Sequence, residues 1–134
     1  PENVSRLRDL FAAGDAFLIG CPEYNGLITP LLKNTIDWVS RPDPDGKPGT
    51  GAVRGKLAAL TAASPGGLGG LRGLVHVRQL LSNIGMFVLP DQLALPHAGK
   101  AFAEDGSLTD ESVAGRLEAL AANFVRSGER MKTP

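Results

Sequence analysis

Residues 16–20, "AFLIG", are apolar without a break and without polar alternation. Such a run reads as a strand covered on both faces, the kind found inside parallel sheets. Residues 57–63, "LAALTAA", repeat the pattern, and "MFVLP", Met86–Pro90, supplies a third run. The segments around these runs have helical spacing. Val4, Leu7, Leu10 and Phe11 fall on one face of residues 2–13, and Gly14-Asp15 end that helix. Thr29-Pro30 opens a second helix, with threonine as cap and proline in the first position, where its missing N–H costs nothing. Leu32, Ile36 and Val39 face inward from it. Residues 71–84 form a mostly apolar helix. A last one opens at Thr109, with Asp110 and Glu111 in its first turn and Val113, Leu117, Leu120, Ala121 and Phe124 repeating at helical spacing. The order helix, strand, helix, strand, helix, strand, helix predicts an α/β fold: a parallel sheet with helices on both faces.

The chain has 134 residues and is 43% hydrophobic, enough for one domain with a sizeable core. Fourteen basic side chains balance fourteen acidic ones, so no bulk charge draws it toward nucleic acid or anionic lipid. No apolar run approaches the roughly 18 residues of a membrane span. One cysteine cannot form an internal disulfide, and no signal-peptide pattern opens the sequence, so a cytoplasmic setting is expected.

In open parallel sheets, ligands bind beyond the carboxyl ends of the strands. "CPEYNG" leaves the first run and "SPGGLGG", Ser64–Gly70, leaves the second, so both loops are expected on one edge, with backbone N–H groups to offer. Taken alone, each residue there also has a plainer reading. Tyr24, the only tyrosine, also suits packing or an interface, Glu23 a solvated carboxylate, and Asn25-Gly26 a turn. The glycine-rich segment lacks the lysine and spacing of a phosphate-binding P-loop. Cys21 reads as a small buried hydrophobe rather than a nucleophile. His76 and His97 show no zinc-like spacing with it, and no metal site is expected. Trp38 suits core or subunit packing, and Arg72 and Arg78 suit an interface or solvent. Residues 41–55, with three prolines and four glycines, read as an irregular loop. It is either a flap offering Arg41, Lys47 or Arg54 to a nucleotide phosphate, or a disordered surface segment.

The stretch "PEYNG" followed by "LLKNTIDWVSRP", then a strand and "SPGGLGG", resembles the NADPH-dependent FMN reductase family of flavodoxin-like proteins, which includes quinone, chromate and azo-dye reductases. The resemblance runs from about Asp15 to the last helix. It implies a flavin-binding slot in which Pro22, Glu23, Tyr24, Asn25 and Gly26 contact the isoalloxazine ring. Ser64, Pro65, Gly66 and Gly67 would approach its pyrimidine edge. It further implies FMN and NADPH or NADH as cofactors, a quinone or similar small molecule as electron acceptor, no catalytic side chain of fixed identity, and a homodimer or homotetramer. Two other readings are an electron-transfer flavin module without reductase activity and a non-enzymatic truncated homologue. Against the family pattern, Leu27 stands where relatives often carry serine, and the first strand, phosphate-binding turn and second strand are absent ahead of Pro1. The expectation is therefore the carboxy-terminal portion of a flavodoxin-like domain, residues 1–134, with one strand edge uncovered and weak FMN binding by this chain alone.

Overall fold

The computed structural model describes residues 2–42 and 45–132. Seven main elements follow in the predicted order: α1 (Glu2–Ala13), β1 (Ala16–Gly20), α2 (Pro30–Val39), β2 (Leu57–Ala63), α3 (Leu71–Asn83), β3 (Phe87–Leu95) and α4 (Glu111–Lys132). The strands lie side by side as β1-β2-β3, all parallel. This is the architecture expected from the three apolar runs.

Alternation along the strands divides the core in two. Phe17 and Ile19 of β1, and Ala58, Leu60 and Ala62 of β2, meet α1, α2 and α3 on one face. Leu57, Ala59, Leu89 and Leu93 meet Leu120, Val113 and Phe124 of α4 on the other. Leu60, Leu74 and Leu81 are fully buried, and each contributes about 1.5–3 kcal/mol through removal from water. On the far side of β1 no strand pairs among the described residues, and Leu18 beside that edge is exposed.

Three boundaries differ from the sequence reading. β3 runs on to Leu95 rather than stopping at Pro90. The register passes from Ala58↔Val88 to Leu60↔Gln92, so two extra residues bulge out of β3 around Pro90, where a proline is tolerated. Because two residues are inserted, Val88 and Ala94 still share a face. Arg78 of α3 fills the bulge, donating to the carbonyls of Leu89 at 2.7 Å and Pro90 at 3.2 Å and to Gln92 Oε1 at 2.9 Å. It is therefore committed within the chain rather than to an interface or to solvent.

The last helix is capped by Asp110, whose Oδ1 accepts from Ser112 N at 2.8 Å and Val113 N at 3.2 Å, and not by Thr109. The loop 41–55 contains a 3₁₀ turn at Gly49–Ala52, and Val53 behind it is fully buried. Arg54 precedes β2 and packs beside Gly85 at the amino edge of the sheet, away from the loops that leave the carboxyl ends. Asp43 and Pro44 of that loop lie outside the described residues.

At α2 the expected cap is found: Thr29 Oγ1 accepts from Leu32 N at 3.2 Å and Pro30 occupies the first turn. Arg8 of α1 reaches the other end of α2, donating to the carbonyls of Trp38, Arg41 and Pro42. Lys56 Nζ in turn donates to the carbonyls of Phe11 and Ala12 at the end of α1, both at 2.7 Å.

Candidate functional site

β1 ends at Gly20, paired with Thr61 of β2, and Cys21 N still donates to Thr61 O at 2.9 Å. From there the two chains diverge at the same carboxyl edge into the loops expected to form the site. In the first, Tyr24 N donates to Leu27 O and Leu27 N to Tyr24 O, both at 3.0 Å. Asn25 and Gly26 between them have φ of 52° and 86°, the positive pair of a type I′ turn, which an Asn-Gly sequence adopts with little strain. Tyr24 at its base is exposed. The N–H groups of Asn25 and Gly26 donate to no acceptor among the described residues.

In the second loop Ser64 Oγ accepts from Gly66 N at 3.2 Å. Ser64 N donates to Leu95 O at 3.1 Å and His97 N to Gly66 O at 3.3 Å, which ties the loop to the end of β3. The N–H groups of Gly67 and Leu68 have no acceptor among the described residues. Where the loop enters α3, Gly70 has φ of 88°, and a Cβ there would lie 2.7 Å from Ala62 Cβ. Only glycine lets the backbone approach β2 so closely.

Glu23 joins the two loops. Its Oε1 accepts from Arg72 Nε at 2.9 Å and from Arg72 Nη2, and its Oε2 accepts from Gly73 N at 3.1 Å. The Arg72 guanidinium, aided by the Gly73 amide, holds the Glu23 carboxyl below the usual carboxylate range against the opposing effect of desolvation. Glu23 is thus a fixed, ionised group facing α3 rather than a solvated carboxylate. Cys21 is buried with its thiol directed to Pro22 O, as its hydrophobic reading required. Trp38 is partly exposed, with the Arg41 guanidinium 5.5 Å from its ring centre.

Two open clefts flank these loops. One, of about 730 Å³, runs along the α4 face; Pro22, Gly20, Thr61, Leu95, Phe102 and Leu117 are among its walls. The other, of about 590 Å³, is bounded by Pro65, His97, Gly99 and Lys100. Of the nine residues predicted for the site, Pro22 borders the first and Pro65 the second. The remaining seven form the loop backbones themselves.

Sequence reasoning missed His97 and Lys100. His97 sits at φ of 51°, and its ring lies 3.9 Å from where a Gly67 Cβ would be. The rule that ligands gather beyond the strands' carboxyl ends points to "PHAGK" once β3 is carried through to Leu95. Stopping the strand at Pro90 hid it.

The model of the NADPH-dependent FMN reductase family matches residues 1–100. The chain belongs to that family. This family member is 36% identical over 125 residues to an NAD(P)H-dependent FMN reductase of Pseudomonas aeruginosa, covering 90% of this chain and 64% of that one. It is 39% identical over 127 residues to an NAD(P)H:quinone oxidoreductase of Solanum tuberosum, covering 90% and 59% respectively. The chain thus spans about three fifths of the length of these curated relatives. In three dimensions it is similar to FerB, a flavoenzyme NAD(P)H:(acceptor) oxidoreductase from Paracoccus denitrificans, with a TM-score of 0.83 and 33% identity over 98% of this chain and 70% of FerB. No described helix is long and apolar enough to cross a membrane.

Proposed function

We propose that this chain supplies the flavin-ring site of an NAD(P)H-dependent FMN oxidoreductase that reduces quinones or similar small acceptors by two electrons. The observation that carries the reading is the pair of adjacent loops at the carboxyl edge, whose backbone N–H groups at Asn25, Gly26, Gly67 and Leu68 have no acceptor among the described residues. An isoalloxazine ring presents acceptors along its polar edge and flat apolar faces, and this donor set suits it. When bound, FMN supplies the redox chemistry itself, accepting hydride from NADPH or NADH and passing two electrons on to the acceptor.

In this reading the backbone of Pro22, Glu23, Tyr24, Asn25 and Gly26 borders the ring, Ser64, Pro65 and Gly66 line its pyrimidine edge, and Gly67 N–H donates toward it, since Ser64 N and Gly66 N are already bonded within the protein. The free N–H groups would favour negative charge on the ring when it is bound. Glu23 takes no part in proton transfer, because Arg72 and Gly73 occupy both of its oxygens. Residues 1–134 act as one flavodoxin-like unit, in a cytoplasmic setting where a lone buried thiol stays reduced.

Association of copies follows from the surface. Leu27, Leu31 and Trp38 on and before α2, and Leu68, Leu71 and Val75 on and before α3, are exposed apolar groups. Apolar patches of this kind mark interfaces, and a homodimer or homotetramer would cover them.

The test is NADPH oxidation with excess FMN and a quinone, together with flavin titration followed by absorbance. Tyr24→Ala and Gly66→Val are expected to weaken flavin binding about tenfold or more, the factor that 1.4 kcal/mol gives. Flavin binding without NADPH oxidation would favour the electron-transfer module. A protein that neither takes up flavin in excess nor oxidises NADPH would refute the proposal. Light scattering at micromolar concentration reads the assembly, and a monomer mass would refute that part.

A further inference from the structure

We propose that Arg72 is a positioning residue, which, with the Gly73 amide, seizes the Glu23 carboxylate at the start of α3 and thereby fixes the conformation of the Pro22–Gly26 loop; its effect on flavin rests on the reading above. Three observations carry this. First, α3 begins without a cap of its own. Gly70 at the cap position has no side chain, and no acidic residue occupies the first turn. A residue with a Cβ is barred there by the contact with Ala62. Glu23, about fifty positions earlier in the chain, supplies the missing acceptor to Gly73 N and places a negative charge at the positive end of the helix.

Second, the loop is seated on the helix at closest approach. A Cβ on Gly73 would lie 3.3 Å from both Glu23 Cβ and Leu27 O, so a side chain there would press the hairpin a few tenths of an ångström off the helix. Third, Arg72 touches the loop near both of its ends. Its guanidinium bonds Glu23, and its Cζ lies 3.9 Å from where a Gly26 Cβ would stand. The Glu23 side chain is 8% exposed while that of Arg72 is 62% exposed, so the carboxylate is the enclosed partner and the arginine closes over it. Removing the arginine leaves an enclosed carboxylate with one amide donor, a worse state than removing both charges.

Amide hydrogen exchange on the 134-residue chain tests this. Tyr24 and Leu27, whose amides each donate to the other's carbonyl across the hairpin, report the loop, and Val77 and Leu81 in the middle of α3 report the fold. Arg72→Leu is expected to speed exchange at Tyr24 and Leu27 by about tenfold or more, the scale of one charge-assisted hydrogen bond, with Val77 and Leu81 unchanged. Arg72→Lys should recover part of the protection. The double variant Arg72→Leu/Glu23→Gln should exchange more slowly than Arg72→Leu alone. Unchanged exchange at Tyr24 and Leu27, or an equal rise at all four amides, would overturn the proposal. FMN titration of the same variants separates the two claims. If the exchange pattern holds while the unaltered chain takes up no flavin, the positioning role stands and the flavin reading fails. If the unaltered chain binds and Arg72→Leu binds about tenfold more weakly, both stand.

Discussion

Arg78→Leu offers a quantitative test of how β3 reaches the site. Leucine matches arginine in helix propensity, so α3 itself should not suffer. The loss falls on the bulge. Leu89 O gives up a 2.7 Å bond and Gln92 Oε1 a 2.9 Å bond, both in partly buried surroundings. The 3.4 Å contact to Val88 O is too long to count for much, and the bond to Pro90 O faces solvent. Two charge-assisted bonds at roughly 1.5–3 kcal/mol each, less what water restores, give a destabilisation of about 3 kcal/mol. In urea, with a slope of about 2 kcal/mol per molar, the unfolding midpoint should fall by about 1.5 M. Arg78→Lys keeps one donor for the bulge and should lose about half as much. A loss below about 0.5 kcal/mol, the size of an ordinary surface substitution, would show that water serves these carbonyls equally well and that Arg78 does not hold the strand.

Other outcomes follow from the same geometry. Gly70→Ala should destabilise the fold by about 2–4 kcal/mol, because a left-handed backbone and a 2.7 Å clash with Ala62 act together; a change under 1 kcal/mol in chemical unfolding would be incompatible with that contact. Asp15 and Glu23 are held below their ordinary values of 3.8 and 4.5, chiefly by hydrogen bonds from Lys132 and Arg72. Their stabilisation is therefore complete above those values and lost as pH falls through the folded-state ones. The thermal midpoint should decline below about pH 4.5, and Glu23→Gln should make that decline shallower. Lys56→Met removes two donors from the end of α1 and should cost about 1 kcal/mol with a loss of far-ultraviolet helix signal, an effect absent if α1 is held by its apolar face alone.

What was legible in the sequence is what depends on neighbours in the chain. The runs at 16–20 and 57–63 were readable because burial on both faces leaves an unbroken apolar signature, and Thr29-Pro30 because capping is local. The two loops were found because the carboxyl-edge rule needs only strand ends and direction. The second half of β3 was obscured because Pro90-Asp91 has the form of a turn, and the residue that rescues it, Arg78, lies on another element. Val53 was hidden among prolines and glycines, although it is wholly buried. The bond between Glu23 and Arg72 spans 49 positions, and no local pattern announces a cap borrowed across such a distance.

The clamp at the end of α2 makes the chain's single tryptophan an optical reporter of one particular event. Helix α1 buries no residue completely. It holds to the body through half-buried Leu7 and Phe11, through Lys56, and through Arg8 at the Trp38 carbonyl. The Arg41 guanidinium lies 5.5 Å from the indole ring and Arg8 ties the Arg41 and Pro42 carbonyls to α1, so the departure of α1 releases Arg41 and changes the surroundings that set indole emission. Melting followed at Trp38 and melting followed by circular dichroism record different things: the first senses the departure of one loosely held helix, the second the collapse of the sheet. Their midpoints should separate, with fluorescence leading, and an apparent free energy taken from the tryptophan signal measures the attachment of α1 rather than the stability of the nucleus that carries the loops.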